Sequence, residues 1–253
     1  MSKLIAFWSP SGAGSTTLLL NTAAALGARR ANVAAADLNL TAPSLALAAD
    51  LLPHDQPQSA CLSRLWPALE GGRLSSDELY GALLHHNGFA LLPGMLDVVT
   101  ASRMTEGHVH RMLQLLGARF ELVLADLTPA LDSVACLPVL EQADLICLVV
   151  GPEIGSRFHT RRNMLPIKAI GLEAKVLPIL NRGDASLREQ VSLDIDLPIR
   201  AMVPECKLMG RMVEAGVIAY QARAVHPSVR SFQCSVEELA TLVARGGTAR
   251  GSD

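Results

Sequence analysis

Aromatic residues are scarce in this chain: they make up 4 % of its 253 residues, while hydrophobic residues make up 50 %. That scarcity argues against an aromatic-rich β-sandwich. Ala, Leu and Val are left to build the core, a mix suited to helices packed on a buried parallel sheet. Charge of one sign is also missing, because 22 Lys and Arg face 24 Asp and Glu for a net charge of −2. Nothing global therefore drives the chain towards nucleic acid or an anionic membrane. The five cysteines (Cys61, Cys136, Cys147, Cys206, Cys234) form no C-x-C or C-x-x-C pair. With the seven histidines they show no zinc spacing, and they are expected to be buried thiols in a reducing compartment. No run reaches the roughly 18 apolar residues that a spanning helix needs. The opening "MSKLIAFWS" lacks the charged, apolar and cleavage regions of a leader. The expectation is a cytoplasmic protein with no integral membrane segment. No nucleophile motif such as G-x-S-x-G is present either, and no catalytic residue is assigned.

What the chain does have is short apolar runs alternating with helix-length segments. Strands are expected at 3–8, 32–36, 88–92, 121–125, 145–150 and 175–180, with a further one at 199–203. The runs are continuous rather than alternating, which marks strands covered on both faces. A helix is expected over 15–29, and another helical stretch near 75–86. The segment 53–86, with "PHDQPQ" and Trp66, reads as an excursion from the sheet rather than a domain. The fold class expected is α/β: one doubly wound, mostly parallel sheet flanked by helices in a single domain over 1–245, followed by a disordered tail over 246–253. In such sheets ligands bind at the carboxyl ends of the strands, where Ser9, Asp37, Asp126 and Asn181 are expected to fall.

The stretch "AFWSPSGAGSTTLLLNTAAALG" (6–27) passes from a strand through a Ser/Gly turn into a helix. Main-chain N–H groups at such a turn cradle phosphate oxygens. The phosphate-loop pattern is G-x-x-x-x-G-K-[ST]. Aligned on Gly14 and Thr16, the chain has Ser9 at the first glycine and Ser15 at the lysine. Gly12 and Gly14 allow close main-chain approach, and Ser11, Ser15, Thr16 and Thr17 supply hydroxyls. The missing lysine normally offsets β/γ-phosphate charge; single stabilising donors of this kind are worth about 3–4 kcal/mol in a transition state. Two other readings stand beside this one. One is a Gly-containing turn without a ligand. The other is a dinucleotide loop, in which Thr17 replaces the third glycine of G-x-G-x-x-G and Asp37 takes the ribose acid's place.

Taken together, the motifs resemble those of the ParA/MinD family of P-loop ATPases, over nearly the whole length. They run in order: "SPSGAGSTT"; "AAADLNLTAPSLA", similar to the family's D-x-D-x-x-x-P-S-L; "FALLPG"; "FELVLADLTPALDS"; "VLPILNR"; and "LPIRAMVPECKLMGRMVEAGV". Pilus-assembly (CpaE/TadZ-like) and flagellar-number members look most similar. The resemblance implies a P-loop NTPase-like fold and a site for ATP or ADP with Mg²⁺. The nucleotide would lie on Ser11, Gly12, Ala13, Gly14, Ser15, Thr16 and Thr17. Asn181 and Arg182 would sit beside the purine, with Pro204 and Glu205 lining base and ribose. Thr16, Asp126 and Asp37 would hold or surround the metal. It further implies a homodimer and protein partners in a pilus, secretion or flagellar assembly. The departures fall on the chemistry. The family's signature lysine aligns with Pro10 and its in-cis lysine with Ser15. Asn39 replaces the second Asp of D-x-D, and an amide cannot accept a proton from water as a carboxylate does. The resemblance with these losses implies weak nucleotide binding with hydrolysis reduced or absent. An active ATPase rescued by another cation, Arg157 or Arg161 for instance, is the alternative.

Other polar clusters carry less. His85 and His86 are expected to end a helix, and His108 and His110 lie at a helix start, where their spacing cannot share a metal. Arg157, Arg161, Arg162 and Lys168 give one helix a basic face. That face leaves a DNA-associated partitioning role as a third reading, against the ordinary one of a solvated surface. Ser235 and Glu238 have capping-box spacing at the start of a C-terminal helix. That helix lacks the basic amphipathic extension of membrane-bound relatives.

Overall fold

The computed structural model describes residues 2–52 and 62–247. The "PHDQPQ" stretch, Cys61 and residues 248–253 of the expected tail lie outside the described residues, whereas Gly246 and Gly247 close the end of the last helix on the carbonyls of Val243 and Leu242. From the amino end come β1 (Lys3–Trp8), α1 (Ser15–Ala28), β2 (Val33–Leu38) and α2 (Leu45–Ala48). Next are α3 (Trp66–Glu70), α4 (Ser76–Gly81), β3 (Leu84–His86), β4 (Phe89–Leu92) and α5 (Val98–Ala101). They are followed by α6 (Glu106–Arg119), β5 (Leu122–Leu127), α7 (Cys136–Gln142), β6 (Leu145–Val150) and α8 (Ile154–Ala169). The chain continues through β7 (Val176–Asn181), α9 (Arg188–Ile195), β8 (Ala201–Val203), α10 (Met209–Glu214) and α11 (Pro227–Ala244).

The strands form one sheet in the order β3-β4-β2-β5-β1-β6-β7-β8. All neighbours are parallel except β3, which runs antiparallel to β4 at the edge. Alternate residues of each strand feed opposite layers. Ala6 and Trp8 of β1 pack with α6 and α7, whereas Ile5 and Phe7 pack with α1 and α11. This double burial explains the continuous apolar runs. In β2, Ala34, Ala35 and Ala36 are all fully buried, and their small side chains keep the neighbouring layers close.

Most expected strands appear within about two residues of their predicted ends. Three expectations need correction. The helical stretch near 75–86 ends at Gly81, and His85 and His86 lie on strand β3. The cause is a hairpin over Asn87-Gly88, with Gly88 at φ 99°, that returns the chain into β4. The segment 62–86 is therefore no excursion: Leu62, Leu65, Trp66, Leu69, Leu74 and Leu79 are buried in the main core, and β3 closes the sheet. The C-terminal helix starts at Pro227, not at Ser235; the His226 side chain caps it by accepting from Ser228 N–H. Val229, Phe232, Val236, Leu239 and Val243 form one buried stripe that carries the helix straight through Ser235. Three of the described cysteines are buried, as expected, while Cys234 is exposed.

Candidate functional site

The turn between β1 and α1 is built by its own hydrogen bonds. Ser9 is buried, and its hydroxyl accepts from Ala13 N–H at 2.7 Å, while its carbonyl accepts from Gly12 N–H at 3.2 Å. Gly12 and Gly14 adopt φ of 68° and 96°, left-handed conformations that suit glycine. Gly14 also packs so closely on Asn181 that an added Cβ would lie 2.7 Å from Asn181 Nδ2. That amide donates to Ala13 carbonyl at 2.8 Å and ties the turn to the end of β7. No side chain caps α1 and no acidic residue occupies its first turn. The first-turn N–H groups thus lack intrahelical partners and present positive ends towards the turn.

A cavity of about 360 Å³ opens beside this turn. Gly12, Ala13, Gly14 and Thr17 form one wall. Asn181, Arg182, Pro204 and Glu205 line it too, so the structure brings eight of the expected binding residues into one space. Ser11 behaves differently: its hydroxyl meets Ser156 Oγ at 2.6 Å, and Ser156 in turn accepts from Gly151 N–H, so it braces the start of α8. Arg182, at φ 62°, pairs with Glu153 at 2.9 Å. Sequence reasoning missed Cys206, Lys207 and Phe232 on the cavity wall. The unbroken apolar stripe of α11 was the signal for Phe232; for Lys207 there was none.

Beneath the first turn of α1 lie two carboxylates. Asp37 on β2 and Asp126 on β5 stand in register on adjacent strands and are 1 % and 0 % exposed. Thr16 Oγ1 donates to Asp126 Oδ2 at 2.6 Å, while Asp126 Oδ1 is buried with no partner. Burial first, and the neighbouring Asp37 charge second, push Asp126 up to about 8, against the lowering effect of the Thr16 and Ser15 hydroxyls. Burial likewise raises Asp37 to about 6, although Leu45, Asn39 and Ser44 N–H groups donate to it. Both Asp37 oxygens are spent on that segment's backbone: Oδ1 accepts from Asn39 N–H, and Oδ2 from Ser44 and Leu45 N–H. Asn39 is engaged in the same way, its side-chain oxygen accepting from Thr41 and Ala42 N–H.

The residues at the two lysine positions carry no charge. Pro10 is half-buried, and Ser15 is buried against Asp126. The arginines considered as replacements are drawn elsewhere. Arg157 pairs with Asp194, and Arg161 acts on Asp196. Lys168 pairs with Asp196 at 2.8 Å and Glu173 at 3.2 Å, so much of the basic face of α8 is neutralised on the protein itself. The histidines serve the fold: His108 closes a capping box with Thr105, and His86 meets Gln221 at 2.9 Å. Among the described residues no group of three or more His, Cys, Asp or Glu is placed to hold a metal. No helix there is long and apolar enough to cross a membrane.

The strand order argues against the dinucleotide reading. In that fold β1 neighbours β2, whereas here β5 lies between them. No family model matches the chain, and no curated protein matches it by sequence. Solved structures do match it by shape. A ParA family ATPase from Chlorobium tepidum TLS is 20 % identical at a TM-score of 0.81, over 95 % of this chain and 99 % of that one. The septum site-determining protein MinD from Pyrococcus horikoshii OT3, complexed with Mg-ADP, is 22 % identical at a TM-score of 0.76, over 98 % and 100 %. The MinC:MinD cell division complex from Aquifex aeolicus matches at 16 % identity and a TM-score of 0.72, over 100 % and 99 %. The chain therefore has the P-loop fold of ParA and MinD ATPases over nearly its full length. The fold alone does not fix the function.

Proposed function

We propose that the chain is a ParA/MinD-like nucleotide-binding scaffold or positioning protein whose hydrolysis is reduced or lost. The observation that carries this reading is the split between the cavity and the chemistry. Eight expected binding residues share one space of nucleoside size, while uncharged residues stand at both lysine positions. The MinD structure with Mg-ADP supports the ligand class.

Mg²⁺ fits the residues present. Asp126 Oδ1 is a buried oxygen without a partner, and Thr16 Oγ1 lies on the other oxygen of the same carboxylate. Thr16 and Asp126 would hold the ion; Asp37, with both oxygens occupied, would act on it through water and charge. Such an ion offsets phosphate charge and raises affinity when bound. The protein's own contribution is then positional. The first turn of α1 meets phosphate oxygens, Asn181 fixes the turn, and Pro204 and Glu205 face base and ribose. Asn39, standing where the family has its second switch carboxylate, is an amide that spends its oxygen on Thr41 and Ala42, so it cannot take a proton from water as that carboxylate does.

The same reading includes a homodimer meeting over the P-loop and a cytoplasmic role in a pilus, secretion or flagellar assembly. The MinC:MinD complex supports a protein partner. A DNA role is less supported, because Arg157 and Lys168 are already paired. Calorimetric titration with ADP and with ATP in Mg²⁺ tests the reading. Saturable binding of both is expected, and no binding of either would overturn it.

A further inference from the structure

A nucleotide in this cavity needs a cation, and the loop supplies none. Among the described residues two basic side chains line the space, Arg182 and Lys207. Arg182 is committed to Glu153 at 2.9 Å. Lys207 is exposed and, among the described residues, belongs to no ion pair or hydrogen bond. It stands in the β8–α10 connection and shares the cavity with Gly12, Gly14 and Thr17 of the turn. Its main chain is fixed on both sides. Cys206 is buried and its carbonyl accepts from Met209 N–H at 2.9 Å, while Val203 carbonyl accepts from Arg182 N–H at 2.8 Å. The backbone is anchored, and only the ammonium arm is free to move.

We propose that Lys207 is the phosphate-holding cation of this protein, reaching the phosphate chain from the β8–α10 side of the cavity in place of a lysine from the loop. The inference rests on the nucleotide reading above and says how that site offsets charge. Glu205, one residue past Pro204 on the same wall, is suited to ribose hydroxyls, which donate to a carboxylate. Lys207 is suited to anionic oxygens, which an ammonium binds as a point charge without a fixed fork geometry. From the Asn181 and Pro204 side it meets the phosphates nearest the nucleoside, not the terminal one. ADP and ATP thus gain equally, and the residue holds ligand without promoting cleavage.

The test is calorimetric titration of the full chain with ADP and with ATP at several KCl concentrations, for the wild type, Lys207→Met and Lys207→Arg. Lys207→Met is expected to weaken ADP and ATP by the same factor, about tenfold, and to flatten the salt dependence of binding. Lys207→Arg is expected to retain most of the affinity. Wild-type binding with Lys207→Met unchanged would overturn the inference and leave the nucleotide site standing. A loss with unaltered salt dependence would overturn it too, since the contact would then be packing. Absence of ADP and ATP binding by the wild type would instead remove the underlying reading, and this inference with it.

Discussion

At the scale of single residues, the carboxylate pair beneath the turn has no lysine from the turn itself to offset it. Ser15 leaves Asp126 beside Asp37 in a buried place, and its hydroxyl only partly relieves the resulting charge. Restoring a lysine should change that. Ser15→Lys is expected to strengthen Mg-ADP binding by about tenfold or more, because a buried charge pair forms where a hydroxyl now stands. Titration measures it, and an unchanged affinity would mean the turn cannot present a lysine to phosphate. A pH effect follows from the same pair. Asp126 moves from an ordinary value of 3.8 to about 8, so the folded state keeps a proton that the unfolded chain releases. Stability from this group is fully present below about pH 4, falls as pH rises, and levels off above about pH 8. Asp126→Asn should remove that decline. Urea midpoints at pH 5 and pH 8 should therefore converge in the variant relative to the wild type. Equal pH dependence in both would refute the assignment. Thr16, Asp37 and Asp126 were legible from motif order alone. The occupation of both Asp37 oxygens was not, because it depends on where the 39–45 backbone turns back.

At the scale of elements, apolar run length located the strands, and the Gly/Ser turn located α1. The misplacements have local physical causes. Asn87-Gly88 is a hairpin signal that the apolar pattern of 75–86 masked, so β3 was read as helix. At the other end, Ser235 and Glu238 have capping spacing, yet the buried stripe from Val229 to Val243 outweighs a cap worth about 1 kcal/mol. The hairpin also meets α1. A Cβ added at Gly27 would lie 2.5 Å from the Gly88 carbonyl oxygen, backbone against backbone. Gly27→Ala is expected to cost about 1–3 kcal/mol, read as a lower urea midpoint. An unchanged midpoint would show that the α1 end and the hairpin can separate freely.

At the scale of the whole molecule, one sheet gathers at its carboxyl edge residues that lie as far apart in sequence as Ser9 and Asn181. Ser9, Asp37, Asp126 and Asn181 end β1, β2, β5 and β7 or follow directly, as the doubly wound pattern implies. That gathering was legible because strand order in such folds is constrained. The far wall was not, since Lys207 and Phe232 reach the cavity only through the packing of α10 and α11. The most direct measurement of the central claim is phosphate release from Mg-ATP under single-turnover conditions, with the protein in excess and bound nucleotide counted in the same sample. The account expects ATP to be held and recovered intact after prolonged incubation. Conversion to ADP and phosphate at the rate of an ordinary ATPase of this fold would contradict it.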